Sequence, residues 1–366
     1  MTGPWVLALE KPHGAPLRRV GGLSIALRLA LDAQRAGAES VVCTATSGVL
    51  PGALRDARLR IPVVEAIPEG VRSVHVSATL LVHRDALGAA ARRAEGEGQD
   101  AVTVTVENGG VETPYGFSPV EILDAEVARR AEVALFRSLR KPQDGWTSRY
   151  LNRHISLSIS RLLVKTPLRP NQVSVAILAV GLAGAWLAAQ GSYWALVFGA
   201  FLFQAQSVLD GCDGEMSRVT HRGSLMGEWL DTIGDDLTNY GFFAGAALGL
   251  HRHSGSKLYL AAGIVTVLCG VATSLIEYRY LAKIGSGDLL KYPTSQIGSG
   301  GQGLFAKVAP LFKRDTFVFL TLIAAVVGLL GPILVVFSLA GVGILGNVLA
   351  TEVRMAQERR DGGTAA

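Results

Sequence analysis

Cysteine is scarce in this chain: Cys43, Cys212 and Cys269 are its three thiols, far apart and in unrelated contexts. No CxxC pair, sulfur-rich ligand cluster or disulfide framework can be built from them, which excludes a stapled fold and suits a reducing compartment. The opening residues MTGPWVLALEKPHG lack a basic stretch leading into a long apolar run, so no cleavable signal peptide is expected. Charge is missing unevenly. Residues 1–165 hold most of it, and the remainder contains long apolar runs. A formal net charge of +5 could suit nucleic acid or anionic lipid. The basic residues cluster beside apolar segments, so a lipid bilayer is the expected partner and nucleic acid is not.

Within residues 1–140, short β-rich runs at 5–9, 40–44, 61–64, 71–76 and 101–106 alternate with helical patterns at 23–36 and 85–95. That alternation predicts a soluble α/β domain with a mostly parallel sheet. Residues 141–170 follow as a linker and juxtamembrane helix. There Leu151, Ile155, Ile159, Leu162 and Leu163 recur at helical spacing among Arg149, Arg153, Arg161 and Lys165, as in a helix lying on a membrane surface.

From 171 to 354 about six segments meet the membrane criterion of roughly 20 mainly apolar residues. They are placed near 171–190, 194–213, 225–249, 257–278, 315–331 and 333–352, with a polar tail at 355–366. The connections at 214–224 and 279–314 carry Arg218, Arg222, Arg279, Lys283, Lys291, Lys307, Lys313 and Arg314, whereas the turns at 191–194 and near Gly331 are uncharged. The charge asymmetry predicts a multi-pass protein of the cell (inner) membrane with both termini cytosolic. Loop 284–303, rich in Gly and Ser, is expected to be flexible, and His221, His251 and His253, without metal-ligand spacing, to be solvated.

The second and third segments contain acids that a membrane helix should not. Asp210 and Asp213 are three apart, and Gly227, Asp231 and Asp235 are four apart, so each set shares one helix face. Two such faces packed together would aim four carboxylates at one point, helped by the small residues Gly211, Gly214, Gly227 and Gly234. Their mutual repulsion at the edge of a bilayer must be relieved by protons or a cation. An all-oxygen donor set suits hard cations such as Mg2+ or Mn2+, which in turn suit a pyrophosphate substrate. Arg218 beside the cluster can grip a phosphate through its guanidinium fork.

These residues fit the pattern D-x2-D-G-x2-A-R-x8-G-x3-D-x3-D at every position but one, Ser217 standing where Ala is usual. The chain thus resembles the CDP-alcohol phosphotransferase family. The resemblance implies Asp210, Asp213, Asp231 and Asp235 as ligands of two divalent ions, and Asp235 also as the base that deprotonates the attacking hydroxyl. It implies Gly214, Arg218 and Gly227 as the cradle of the CDP moiety and CMP as leaving group, with a CDP-alcohol donor, a polar alcohol or alcohol-phosphate acceptor, and a homodimer. Arg222, between the motif halves, and Arg279 and Lys283 after the fourth segment are candidate acceptor contacts. The two cations could equally be positive-inside residues at lipid headgroups. Asp236 and Glu228 lie outside the pattern, Asp236 being read as a supporting or solvated carboxylate.

The run DGWTSRYLNRHISLSISRLLVKTPLRPNQVSV, with Pro170 and Asn171 opening the first segment, resembles proteins that fuse an inositol-phosphate cytidylyltransferase to a di-myo-inositol-phosphate-phosphate synthase. Their N-terminal half is a Rossmann-like nucleotidyltransferase. The expected fold class is therefore an α-helical polytopic membrane domain preceded by a soluble α/β nucleotidyltransferase-type domain. Here the first strand runs into EKPHGAP with a single glycine, and Ala15 replaces the usual Lys before Pro, so the phosphate-binding loop is lacking. The strand region ending SATLLVHRD lacks the metal-binding Asp, for which His83 or Asp85 are weak substitutes. This domain is expected to be catalytically degenerate. Without it the chain cannot make its own CDP-inositol, so a donor of CDP-diacylglycerol for phospholipid synthesis and one of CDP-inositol both stay open. An ion-coupled transporter would spread its acids near the midplane of several spans, and a plain anchor would need no carboxylates in register.

Overall fold

The computed structural model describes residues 3–43, 45–111, 116–140, 144–293 and 313–362. The chain divides into two compact units. The first comprises Met1–Gln143, Ser160–Pro167 and Glu215–Arg222, and the second Asp144–Ile159, Leu168–Gly214 and Gly223–Ala366.

The first unit is built on a parallel sheet in which β1 (Trp5–Glu10) is central, flanked by β4 (Ser40–Cys43) and β6 (Arg72–Ser77). The outer strands β5 (Val63–Val64) and β8 (Ala101–Val104) complete the order β5-β4-β1-β6-β8, all neighbours parallel. The run Trp5 to Leu9 is buried on both faces, as a central parallel strand requires. Its register pairs Val6 with both Ser40 and Ser73. Two short antiparallel pairs join β2 (Arg19–Val20) to β3 (Leu23–Ser24), and β7 (Leu80–Leu81) to β9 (Val120–Glu121).

Helices α1 (Ile25–Arg35), α2 (Ala86–Gly96) and α3 (Ala125–Arg137) complete the unit. Ser24 caps α1 by accepting from the Leu27 amide, and Asp124 caps α3 by accepting from Glu126 and Val127 at 2.8 Å each. The last strand is shorter than the predicted 101–106, because Asn108 turns the chain back by accepting from the Thr105 amide at 2.7 Å.

The second unit is helical. α4 (Arg153–Leu163) follows a wide turn at Ser148–Asn152. It exposes Ile155 and Leu162 together with His154 and Ser158, and buries Ser156, Leu157 and Ser160. Then come α5 (Pro170–Ala188), α6 (Tyr193–Leu209), α7 (Gly211–Thr220), whose residues from Glu215 on belong to the first unit, α8 (Leu225–Ser254), α9 (Lys257–Lys283), α10 (Arg314–Val326) and α11 (Leu330–Gly362).

Among the described residues four helices are long and apolar enough to cross a membrane: Pro170–Ala188, Tyr193–Thr220, Lys257–Lys283 and Leu330–Glu358. The acids of α8 and the 13-residue length of α10 set those two apart. Leu258, Leu268 and Leu275 are all more than 60% exposed on α9, a lipid-type surface for a membrane protein. Glycines let the backbones close up: a Cβ on Gly184 of α5 would meet the Gly199 carbonyl of α6 at 2.9 Å. Phe203 and Phe242 stack at 4.4 Å in the core.

Candidate metal centre

The acids that the helical spacing singles out lie in the second unit, at the end of α6, the first turn of α7 and the first half of α8. Asp210, Asp231 and Asp235 converge, each offering a carboxylate oxygen within 4.8 Å of the others. Asp213 is buried and accepts instead from the Ser174 hydroxyl of α5, with the Gly214 amide at 2.5 Å from its second oxygen. Gly227, in the first turn of α8, donates its amide to the Ser224 hydroxyl at 3.0 Å. A Cβ there would crowd the Asn171 side-chain oxygen, at 3.0 Å, and the Ser224 hydroxyl, at 3.2 Å.

One residue of this cluster was not legible as such. Arg314, at the first position of α10, sets one guanidinium nitrogen 3.1 Å from Asp210 and the other 2.9 Å from Asp235. It also donates to Gln206 at 2.7 Å and to Asn239 at 3.4 Å. A cation at a helix N-terminus opposes the backbone dipole, so an arginine there signals an acidic partner. Nothing in its surrounding sequence says that the partner lies 79 and 104 residues away, at Asp235 and Asp210. The next residue, Asp315, anchors the turn before α4 by accepting from the Ser148 amide at 2.6 Å.

Asp236 is not solvated. It accepts from the Tyr278 hydroxyl at 2.6 Å and from Ser274, both on α9. Glu228 holds the loop after α9 by accepting from the Gly287 amide at 3.1 Å and the Ser286 hydroxyl at 3.2 Å. Arg279 pairs with Glu352 of α11 at 2.8 Å, and Lys283 is exposed in the last turn of α9. The loop expected to be flexible is described only to residue 293. The remainder, and Lys307, lie outside the described residues.

Arg218 and Arg222 belong to the stretch that packs with the first unit. Arg222 is exposed and its amide donates to the Ser217 carbonyl at 3.0 Å. His221 departs from expectation. It has a positive φ of 52°, its side chain is 12% exposed, and its Nε2 lies 3.3 Å from a carboxylate oxygen of Asp32. A buried acid holds it where its own neighbours in sequence could not.

The donor set fits a divalent ion. Three carboxylates with oxygens this close repel one another, and Arg314 offsets part of their charge. Oxygen donors without sulfur or imidazole match the preference of Mg2+ and Mn2+.

The model of the CDP-alcohol phosphatidyltransferase family matches residues 168–352. The chain is 29% identical over 215 residues to the bifunctional IPC transferase and DIPP synthase of Archaeoglobus fulgidus, covering 56% of this chain and 39% of that protein. It is 27% identical over 232 residues to the protein of the same description from Thermococcus kodakarensis, covering 63% and 49%. With the one from Aquifex aeolicus it shares 37% over 107 residues, covering 29% and 24%. The chain thus spans less than half the length of these curated relatives. A crystal structure of Mycobacterium tuberculosis phosphatidylinositol phosphate synthase with CDP-DAG bound superposes with a TM-score of 0.41 at 22% identity, covering 54% of this chain and 93% of that one.

Proposed function

The chain belongs to the CDP-alcohol phosphatidyltransferase family, and on that premise we propose that it transfers a phosphoalcohol group from a CDP-alcohol to a second alcohol and releases CMP. The observation that carries this reading is the convergence of Asp210, Asp231 and Asp235. Asp213, poised against Ser174, completes the set of four. Together they would hold two Mg2+ or Mn2+ ions, which when bound supply charge neutralisation to the pyrophosphate and the departing CMP.

The remaining roles fall to the chain's own groups. Asp235 accepts the proton of the acceptor hydroxyl, whose oxygen attacks the phosphorus carrying the donor alcohol. The bond from that phosphorus to the oxygen of CMP breaks, and CMP leaves with the electron pair. Arg314, forked between Asp210 and Asp235, keeps the base in place. Gly214 and Gly227, lacking side chains, and Arg218 form the cradle for the CDP moiety. Arg222 is the favoured acceptor contact. Arg279 is the weaker candidate, because Glu352 already neutralises it, and Lys283 shares its place after α9.

The reading takes α5, the continuous α6–α7, α8, α9, α10 and α11 as six spans, both termini and the site as cytosolic, and the working form as a homodimer. The N-terminal unit is read as a Rossmann-like nucleotidyltransferase relic. Its parallel sheet supports that, and the single-glycine loop after β1 supports loss of activity. Donors of the CDP-inositol and the CDP-diacylglycerol type both remain. The test is to incubate membranes containing the protein with radiolabelled CDP-inositol or CDP-diacylglycerol and candidate alcohols, and to follow CMP. One pair should release CMP in a chelator-sensitive way. Release by no pair, or full turnover in excess chelator, would overturn the reading.

A further inference from the structure

Taking every fourth residue of α8 from Gly227 gives Gly227, Asp231, Asp235 and Asn239; the row displaced by one gives Glu228, Thr232, Asp236 and Tyr240. Each row is a stripe along the helix, and the two lie about 100° apart around its axis. The first row holds carboxylates of the metal centre, and its Asn239 accepts from Arg314 Nε at 3.4 Å. The second row contributes nothing to the carboxylate pattern, yet each of its side chains is bonded to α9 or to the loop after it. Glu228 accepts from the Ser286 hydroxyl and the Gly287 amide. The buried Thr232 donates its hydroxyl to the Gly287 carbonyl at 2.7 Å. One oxygen of Asp236, Oδ2, accepts from both the Tyr278 hydroxyl, at 2.6 Å, and the Ser274 hydroxyl. Ser274 gives its one proton to Asp236, so Tyr240 is the donor in the 2.6 Å bond that joins it to Ser274. The Trp229 ring meets the Tyr278 ring edge-on, with centroids 5.5 Å apart.

We propose that the second row fixes the rotation of α8 about its own axis, and that Asp236 is the positioning residue that sets Asp231 and Asp235 toward the metal centre. The inference rests on the metal centre proposed above and assigns its support. Apolar helix faces gain little from one rotation over another in a bilayer, because lipid tails are as apolar as a neighbouring helix. Directed hydrogen bonds do select one rotation. The setting is sensitive: a turn of about 20° moves groups about 5 Å from the axis by about 1.7 Å, too far for an ion that demands near-ideal octahedral geometry. Asp236 has the strongest claim within its row. It follows Asp235 directly in the chain, and its single oxygen ties two α9 hydroxyls and, through Ser274, Tyr240. It is not itself a ligand of the centre, since the carboxylates that converge among the described residues are Asp210, Asp231 and Asp235. An apolar side chain at 236 would leave the Tyr278 and Ser274 hydroxyls without this acceptor, whereas the amide oxygen of Asn, with two lone pairs, can take both.

The experiment titrates Mn2+ into the purified full chain in detergent, well below its unfolding temperature, and reads binding by electron paramagnetic resonance. On the same samples kcat and KM are measured with whichever of CDP-inositol and CDP-diacylglycerol releases CMP. Asp236→Leu should weaken Mn2+ binding on the order of tenfold, the scale for losing a group that orients a metal ligand, and lower kcat with KM unchanged. Asp236→Asn should bind Mn2+ as the wild type does, whereas Asp235→Asn should lose it. Tyr278→Phe, which removes one hydroxyl, gives a second reading if Asp236→Leu does not fold; it should weaken Mn2+ binding about threefold, the scale of one hydrogen bond between membrane helices. Wild-type Mn2+ affinity in the folded Asp236→Leu or, failing that, in Tyr278→Phe, with binding lost in Asp235→Asn, overturns this inference alone and leaves the row a purely structural seam. Loss in Asp236→Asn as complete as in Asp235→Asn also overturns it, because Asp236 would then be a ligand. Mn2+ held by Asp235→Asn as by the wild type overturns the metal centre and this inference together.

Discussion

The chain carries two charged clusters of opposite sign. In the helical unit three carboxylates meet around one arginine, Arg314; in the sheet unit four arginines line a cavity around one carboxylate, Asp32. The difference is one of origin. The acids come from a contiguous stretch at helical spacing, whereas the basic cavity is assembled from α1, the segment after β7, the end of α3 and the end of α7.

The sharpest way to break this contrast is to remove an acid. Asp231→Asn or Asp235→Asn should lower CMP release on the order of 10³-fold while the protein still folds, the usual scale for losing a base or a metal-holding carboxylate. Activity within a few-fold of wild type would leave the acid cluster without a catalytic role. Arg314→Ala comes next. It should lower activity by roughly 10²-fold and, because three carboxylates then lack their internal cation, enlarge the rise in melting temperature caused by Mn2+. An unchanged Mn2+ effect would mean that Arg314 does not share those carboxylates with the ion.

Packing sets a smaller scale. Gly184→Ala would drive a Cβ toward the Gly199 carbonyl at 2.9 Å, costing about 1–3 kcal/mol, measurable as reduced heat stability in detergent. Ser160→Ala removes the donor to the fully buried Glu215, 2.6 Å away, and should cost about 1 kcal/mol.

The cavity adds a pH signature. Burial raises the pKa of Asp32 to about 7, against 3.8 for the unperturbed group. The folded chain therefore holds a proton that the unfolded chain has released, and this stability is lost as pH rises from about 4 to about 7. His221 acts in reverse. Its depressed pKa, from 6.5 to about 3, contributes stability present above pH 6.5 and lost as pH falls toward 3. Melting curves of Asp32→Asn should thus gain on wild type with rising pH, and those of His221→Asn with falling pH. Parallel curves would show that neither group is buried as described.

What could be read in the sequence follows the same division by origin. The central strand was visible because Trp5 to Leu9 is an unbroken apolar run, and α1 because Ser24 caps an amphipathic pattern. The carboxylates were visible because spacings of three and four residues translate directly into helix faces. Arg314 was not, since 79 and 104 residues separate it from Asp235 and Asp210, and in charge counting it looks like any positive residue at a membrane edge. His221 was misread for the same reason. Only the fold brings it to Asp32, 189 positions away. The turn of Asp213 toward Ser174 depends on the neighbouring helix α5, which spacing alone does not encode.

The decisive measurement is a Mn2+ titration of the purified full chain by electron paramagnetic resonance, with CMP release followed on the same sample. Bound Mn2+ and CMP release should rise together, and both should vanish in Asp231→Asn and in excess chelator. Undiminished CMP release from chelated protein, or Mn2+ bound equally well by Asp231→Asn, would contradict the assignment of these carboxylates to the metal centre.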